Sequence, residues 1–182
     1  WINLNTNPDG KLKLCCNIQN NNSILTVNVD GVETPFNMGH HSIEEIWNSE
    51  YMKDIRVKLM RGEEIPQCDV CNKNLLMEGY SYRGWFTGSL FKDKIQEAFD
   101  NTDDDGHTTM PVISFDYRYS NLCNFKCRTC GSEFSSQWGA EMRENHDPKH
   151  PILIHADDQS GTVLEEVIEH IDEIELCYFA GG

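Results

Sequence analysis

The sequence is poor in basic residues and has no long apolar run. Its 182 residues include 15 Lys and Arg against 30 Asp and Glu, which gives a formal net charge of −15. Nucleic-acid binding needs a basic surface that neutralises phosphates, so this charge balance argues against a nucleic-acid partner. No stretch approaches the ~20 apolar residues of a membrane-spanning helix, and we expect no membrane partner.

Cysteine, in contrast, is abundant, since the chain has eight. Two groups are closely spaced: Cys68 and Cys71 in "CDVC", and Cys123, Cys127 and Cys130 in "CNFKCRTC". A disulfide between such near neighbours closes a small loop and stabilises a fold little. The spacing therefore indicates metal ligands in a reducing compartment, and we expect a cytoplasmic protein.

The first part of the chain predicts a small α+β unit. Residues 2–6 and 11–18 indicate two strands joined by "NPDG", a strong hairpin turn, and a third strand is expected near 24–29. A capping box that begins at Ser42 starts a helical pattern, which ends at a glycine and a proline before "CDVC". Residues 75–100 are expected to be mostly helical.

The second part predicts a strand–helix–strand unit. Residues 100–111 are acidic and poor in aliphatic side chains, which is typical of a linker. An apolar strand follows at 112–117, then helices at 132–144 and 161–171, and a final apolar strand that runs into two glycines. We therefore divide the chain into a module at 1–99, the linker, and a βαβ unit at 112–182.

The cysteine triplet lies in the loop after the strand at 112–117, where parallel α/β proteins bind ligands. A structural zinc site would need a fourth ligand, and a [4Fe–4S] cluster normally takes four cysteines. Three thiolates would leave one iron open to a small molecule, and such an open position favours chemistry.

These residues carry a family resemblance. The segments "SNLCNFKCRTC" and "CYFAGG" resemble the radical S-adenosylmethionine (SAM) superfamily, whose second barrel strand runs into a Gly-Gly-Glu-Pro motif. The resemblance implies the start of a partial (βα)6 barrel of the TIM type. It also implies that Cys123, Cys127 and Cys130 hold a [4Fe–4S] cluster, and that Gly181 and Gly182 contact SAM.

The resemblance further implies an enzyme activity. An electron from a donor such as flavodoxin or ferredoxin would cleave SAM to methionine and a 5′-deoxyadenosyl radical, which abstracts a substrate hydrogen. Two buried parallel strands cannot close a sheet, and such a barrel needs roughly 200–250 residues. We therefore expect the sequence to be part of a longer chain, and this fragment alone to be inactive.

A second resemblance covers the N-terminal part. "DGKLKLC", which ends at Cys15, and "IPQCDVC", which ends at Cys71, are similar to the twitch or SPASM auxiliary-cluster module of the same superfamily. The resemblance implies that Cys15, Cys68 and Cys71 are three of four ligands to a second [4Fe–4S] cluster. The fourth ligand would lie upstream of residue 1 or be Cys16. Because this module marks many peptide maturases, the implied substrate is a peptide or protein side chain.

Other interpretations are open. Either cysteine group could bind zinc, in which case the chain would be a non-catalytic interaction module. Within enzymes, the substrate could be a small metabolite. Cys16 follows Cys15 on a predicted strand, so its side chain is expected on the opposite face, as a core thiol. Cys177, in the last apolar strand, is expected in the core.

Overall fold

The computed structural model describes residues 1–18, 23–118, 120–156 and 162–179. The strands in these ranges are β1 (Asn3–Thr6), β2 (Leu12–Lys13), β3 (Thr26–Val29), β4 (Val32–Pro35), β5 (Ser114–Tyr117) and β6 (Leu176–Phe179). The helices are α1 (Ile43–Trp47), α2 (Glu50–Met60), α3 (Asp69–Glu78), α4 (Tyr82–Trp85), α5 (Ile95–Asp100), α6 (Ser136–Asn145) and α7 (Thr162–Glu169). None of these helices combines the length and apolar character that crossing a membrane requires.

A four-stranded sheet in the order β2-β1-β5-β6 runs through both parts of the chain. β1 pairs antiparallel with β2, whereas β5 pairs in parallel with both β1 and β6. The predicted parallel pairing of the strands around 112–117 and near the end of the sequence is thus present. The pairing of β1 with β5 was not predicted, and it means that the segments 1–99 and 112–182 share one sheet. The partial barrel itself stays a prediction.

The two faces of this sheet differ in polarity. Leu4, Phe115 and Tyr117 belong to the main hydrophobic core. Cys177, which we expected in the core, is half-buried and packs against its edge. In register on the other face, Asn3 lies beside Ser114, whose hydroxyl is 2.8 Å from the Asn3 Oδ1 atom. This face of the sheet thus carries buried polar side chains that are paired by hydrogen bonds.

The first hairpin has the predicted turn. The Asn7 N–H donates to the Lys11 carbonyl and the Gly10 N–H to the Asn7 carbonyl. Gly10 has a positive φ of 81°, and a Cβ there would lie 2.5 Å from Asn37 Oδ1, so this position requires glycine. β2 ends at Lys13, which makes the second strand much shorter than predicted.

A second hairpin, β3–β4, contains a strand that was not predicted. Asp30 and Gly31 have φ values of 52° and 85°, which is the two-residue turn that Asp-Gly pairs favour. The signal was present in the sequence, but β4 is exposed at all four positions and lacks the apolar alternation of a core strand.

The predicted first helix is in fact two helices. The capping box of Ser42 and Glu45 is confirmed at the start of α1. A second cap, Ser49, accepts from the Met52 N–H at 3.4 Å and begins α2. Residues 75–100 are helical in pieces, because Gly79 takes a left-handed conformation and a π-helical turn occupies Phe86–Leu90.

The loop at 100–111 is tightly packed, although its three consecutive aspartates are exposed. The fully buried Arg56 on α2 donates to the carbonyl of Gly106 at 3.0 Å and to that of Trp47 at 2.5 Å. Its guanidinium also lies 4.6 Å from the centre of the Trp47 ring. The Trp47 indole in turn donates to the Met110 carbonyl at 2.7 Å. This loop therefore connects α1 and α2 to β5.

We expect Arg56→Met to lower the free energy of unfolding by about 3 kcal/mol, because two buried carbonyls lose their donor. Urea unfolding followed by circular dichroism measures this change. The control is Lys58→Met on the same helix, which removes only an exposed ion pair with Asp54 and should change stability by less than about 1 kcal/mol. Equal unfolding midpoints for the two variants would contradict the assigned role of Arg56.

Candidate metal centres

Four cysteines line one cavity of about 590 Å³ on the polar side of the sheet. Cys15 and Cys16 reach it from the turn after β2, and Cys68 and Cys71 reach it from the start of α3. The three predicted auxiliary ligands thus line one cavity, although they come from segments more than fifty residues apart. Their role as ligands stays a prediction.

Cys16 is not a core thiol, and that interpretation is corrected. The alternation of side chains applies only within a strand, and β2 already ends at Lys13. Cys15 and Cys16 lie in a turn instead, where the Ile18 N–H donates to the Cys15 carbonyl at 3.4 Å. Cys16 is exposed and lines the same cavity as Cys15.

The thiols of Cys15 and Cys16 affect each other's titration. The hydrogen bond between them lowers the pKa of Cys16 to about 7 and raises the pKa of Cys15. The Tyr82 hydroxyl also hydrogen-bonds to Cys16, and burial raises the pKa of that tyrosine. The lowered pKa of Cys16 favours its thiolate, the form that binds metals.

Asn17 connects cysteines from both segments. Its backbone N–H donates to the Cys15 sulfur at 3.4 Å, and its side-chain Nδ2 donates to the Cys71 sulfur at 3.9 Å. Hydrogen bonds to ligand sulfurs orient the ligands and tune an iron–sulfur cluster. Asn17 was not singled out in the sequence, and no local pattern could have found it, because the contact to Cys71 depends on the fold.

The sheet contributes a carboxylate to this cavity. Asp116 of β5 is buried, lines the cavity together with Tyr178 of β6, and is 3.3 Å from the Arg118 Nε atom. Asp116 was also missed in the sequence, where it lies inside an apolar strand.

The cysteine triplet lies elsewhere, in the loop that follows β5. Cys127 and Cys130 are exposed and Cys123 is half-buried. Within the described residues, this loop contributes no side chain to the four-cysteine cavity. The sequence prediction that the triplet follows a buried parallel strand is confirmed by the position and pairing of β5.

The buried Asn121 holds the beginning of this loop in place. Its side-chain Nδ2 donates to the carbonyls of Ser132 and Ile152 at 2.9 and 3.1 Å, and its Oδ1 accepts from the Ile154 N–H at 2.7 Å. Its backbone carbonyl also accepts from the Ser136 N–H at 2.7 Å. These bonds join both ends of the cysteine loop to the segment after α6.

The geometry of neither cysteine group is that of a bound single ion. In the described ranges, no three His, Cys, Asp or Glu side chains converge closely enough to hold a metal ion. The donor chemistry of the four-cysteine cavity nevertheless fits an iron–sulfur cluster, because thiolates are the ligands that such clusters take. Gly181 and Gly182, the predicted SAM contacts, lie outside the described residues.

Comparison with known families bears on the N-terminal part. Residues 1–72 match the family model of SPASM, an iron–sulfur cluster-binding domain. The matched range includes Cys15, Cys16, Cys68 and Cys71. No curated protein and no solved structure matches the chain. The match supports the predicted SPASM-like module and implies that this part of the chain binds an iron–sulfur cluster.

We expect Asn17→Ala to release iron from the N-terminal module to a chelator about tenfold faster, because hydrogen bonds to ligand atoms contribute this much to metal affinity. The variant keeps the backbone donor to Cys15 and removes only the carboxamide beside Cys71. The control is Asn72→Ala. Asn72 lines the same cavity, but its carboxamide accepts from Arg83 at 2.8 Å. Equal release rates in the two variants would exclude a role for Asn17 at the sulfurs.

Proposed function

We propose that this chain is part of a radical SAM enzyme with an auxiliary iron–sulfur cluster. The observation that carries the proposal is the position of the C-x-x-x-C-x-x-C loop directly after β5, a buried strand with parallel neighbours on both sides. The SPASM match over 1–72 supports it, because SPASM domains are typical of radical SAM enzymes.

In this proposal, Cys123, Cys127 and Cys130 would hold a [4Fe–4S] cluster, and three thiolates would leave a ligand position for SAM. When bound, the cluster and SAM supply an electron-driven cleavage that yields methionine and a 5′-deoxyadenosyl radical, which takes a hydrogen atom from the substrate. The exposure of Cys127 and Cys130 supports this role, because SAM and an electron donor such as flavodoxin or ferredoxin need access. β5 and β6 would begin the partial (βα)6 barrel, and Gly181 and Gly182 would contact SAM.

Cys15, Cys68 and Cys71 would hold the auxiliary cluster in the four-cysteine cavity. Cys16 lines that cavity and can serve as the fourth thiolate, or an upstream residue can. Because this chemistry needs reduced thiols, the proposed location is the cytoplasm. The proposed substrate is a peptide or protein side chain, as the auxiliary module suggests.

Iron counting on the full-length enzyme, reconstituted without oxygen, tests both sites. We expect roughly eight irons per chain in the wild type and about four after Cys123, Cys127 and Cys130 are all changed to Ala. SAM and a reductant should give 5′-deoxyadenosine in the wild type and none in this triple variant. The matched control is Cys177→Ala, a cysteine that packs against the core and should leave the iron count unchanged.

The same experiment separates the alternatives. Zinc without iron or sulfide, and no SAM cleavage, would overturn the proposal and leave a zinc-binding interaction module. About four irons that survive the triple substitution, with no SAM cleavage in the wild type, would leave only the SPASM-like module. Cleavage that is stimulated by a small metabolite and not by peptides would retain the radical enzyme and change its substrate class.

A further inference from the structure

The first turn of α6 holds the backbone of the cysteine loop. The Ser136 hydroxyl donates to the Cys123 carbonyl at 3.0 Å and accepts from the Cys123 N–H at 3.2 Å. Ser136 is itself buried, so water cannot readily replace these bonds. The Ser136 hydroxyl therefore holds both the N–H and the carbonyl of Cys123.

Two further side chains of this turn act on the same loop. The Trp138 indole N–H donates to the Cys127 carbonyl at 3.0 Å, and the Ser135 hydroxyl donates to the Phe125 carbonyl at 2.7 Å. Ser135 also accepts from the Trp138 N–H at 3.4 Å as the N-cap of α6. An ion pair between Lys126 and Glu141 adds a contact from the middle of the helix.

The bonds from Ser135, Ser136 and Trp138 act on peptide groups of the loop and not on its cysteine sulfurs. The Cys123 sulfur accepts from the Phe125 N–H within the loop at 3.4 Å. Cys127 and Cys130 keep exposed side chains, and Cys130 is tied to the loop through its N–H, which donates to the Cys127 carbonyl at 3.1 Å. A loop whose carbonyls are already fixed loses less conformational entropy when it binds a metal group. The arrangement thus preforms the loop and leaves its thiols available.

We propose that Ser136 and Trp138 are positioning residues that hold Cys123 and Cys127 in place before a cluster is inserted. This inference rests on the proposed function of the triplet. Its first consequence needs no metal: the Cys123 amide of the metal-free protein is protected from exchange by the Ser136 hydroxyl. Its second consequence is that the loaded triplet releases iron faster when either side chain loses its hydrogen-bonding group.

Hydrogen exchange of the metal-free full-length protein tests the first consequence. Ser136→Ala should speed exchange of the Cys123 amide about tenfold, and Ser136→Thr, which keeps the hydroxyl, should restore protection. Unchanged exchange in Ser136→Ala would overturn the inference. Amide protection of β5 and β6 in the same data shows whether the variant is still folded.

Iron release to a chelator, with the EPR signal of the reduced cluster, tests the second consequence. Ser136→Ala and Trp138→Phe should each release triplet iron about tenfold faster and alter that EPR signal. Trp85→Phe on α4, a tryptophan outside this loop, is the matched control and should match the wild type. Ser136→Ala in the chain that lacks all three triplet cysteines should leave the remaining iron unaffected.

The outcomes for the inference and for the proposed function are separable. A wild type with no iron in the triplet overturns the proposed function, whatever the exchange data show. A wild type with a loaded triplet, whose iron release and EPR signal do not respond to Ser136→Ala or Trp138→Phe, overturns only the positioning role.

Discussion

The parallel pairing of β5 with both β1 and β6 is the constraint on which the rest of the structure depends. All four residues of β5 are buried. One of its faces packs Phe115 and Tyr117 into the main core, and the other presents Asp116 to the four-cysteine cavity. The strand then leads directly into the loop with the cysteine triplet. A single strand therefore connects both candidate metal centres, which lie far apart in the chain.

Much of the local structure could be predicted from the sequence. The "NPDG" turn, the capping box at Ser42, the strand at 112–117 and the helix that contains Val163 and Val167 follow from local patterns that act over a few residues. The break between α1 and α2 also has a local signal, Ser49. The apolar periodicity continues across Ser49, however, and by itself indicates a single helix. Local rules work here because the interactions that set these elements are themselves local.

The parts that could not be predicted depend on contacts between distant residues. No local pattern indicates that β1 pairs with β5, because this pairing depends on how the whole sheet is buried. The interpretation of Cys16 as a core thiol is wrong for a related reason: side chains alternate only within a strand, and β2 ends at Lys13. Cys68 and Cys71 were found by their spacing and Cys15 by the family resemblance, but Asn17 and Asp116 enter that site only through the fold.

A cluster bound by each of the two cysteine groups would contribute differently to the stability of the fold. Cys15 and Cys68 come from segments more than fifty residues apart, so a cluster between them would close a long loop and add to the stability of the folded chain. The triplet spans only eight residues, from Cys123 to Cys130, and a cluster there would close short loops and stabilise the chain little. Its loop is instead held by side chains of α6 and by Asn121. A site that does not depend on its metal group for its shape can exchange small ligands at an exposed position without loss of structure, which is the property that catalysis at the triplet would require.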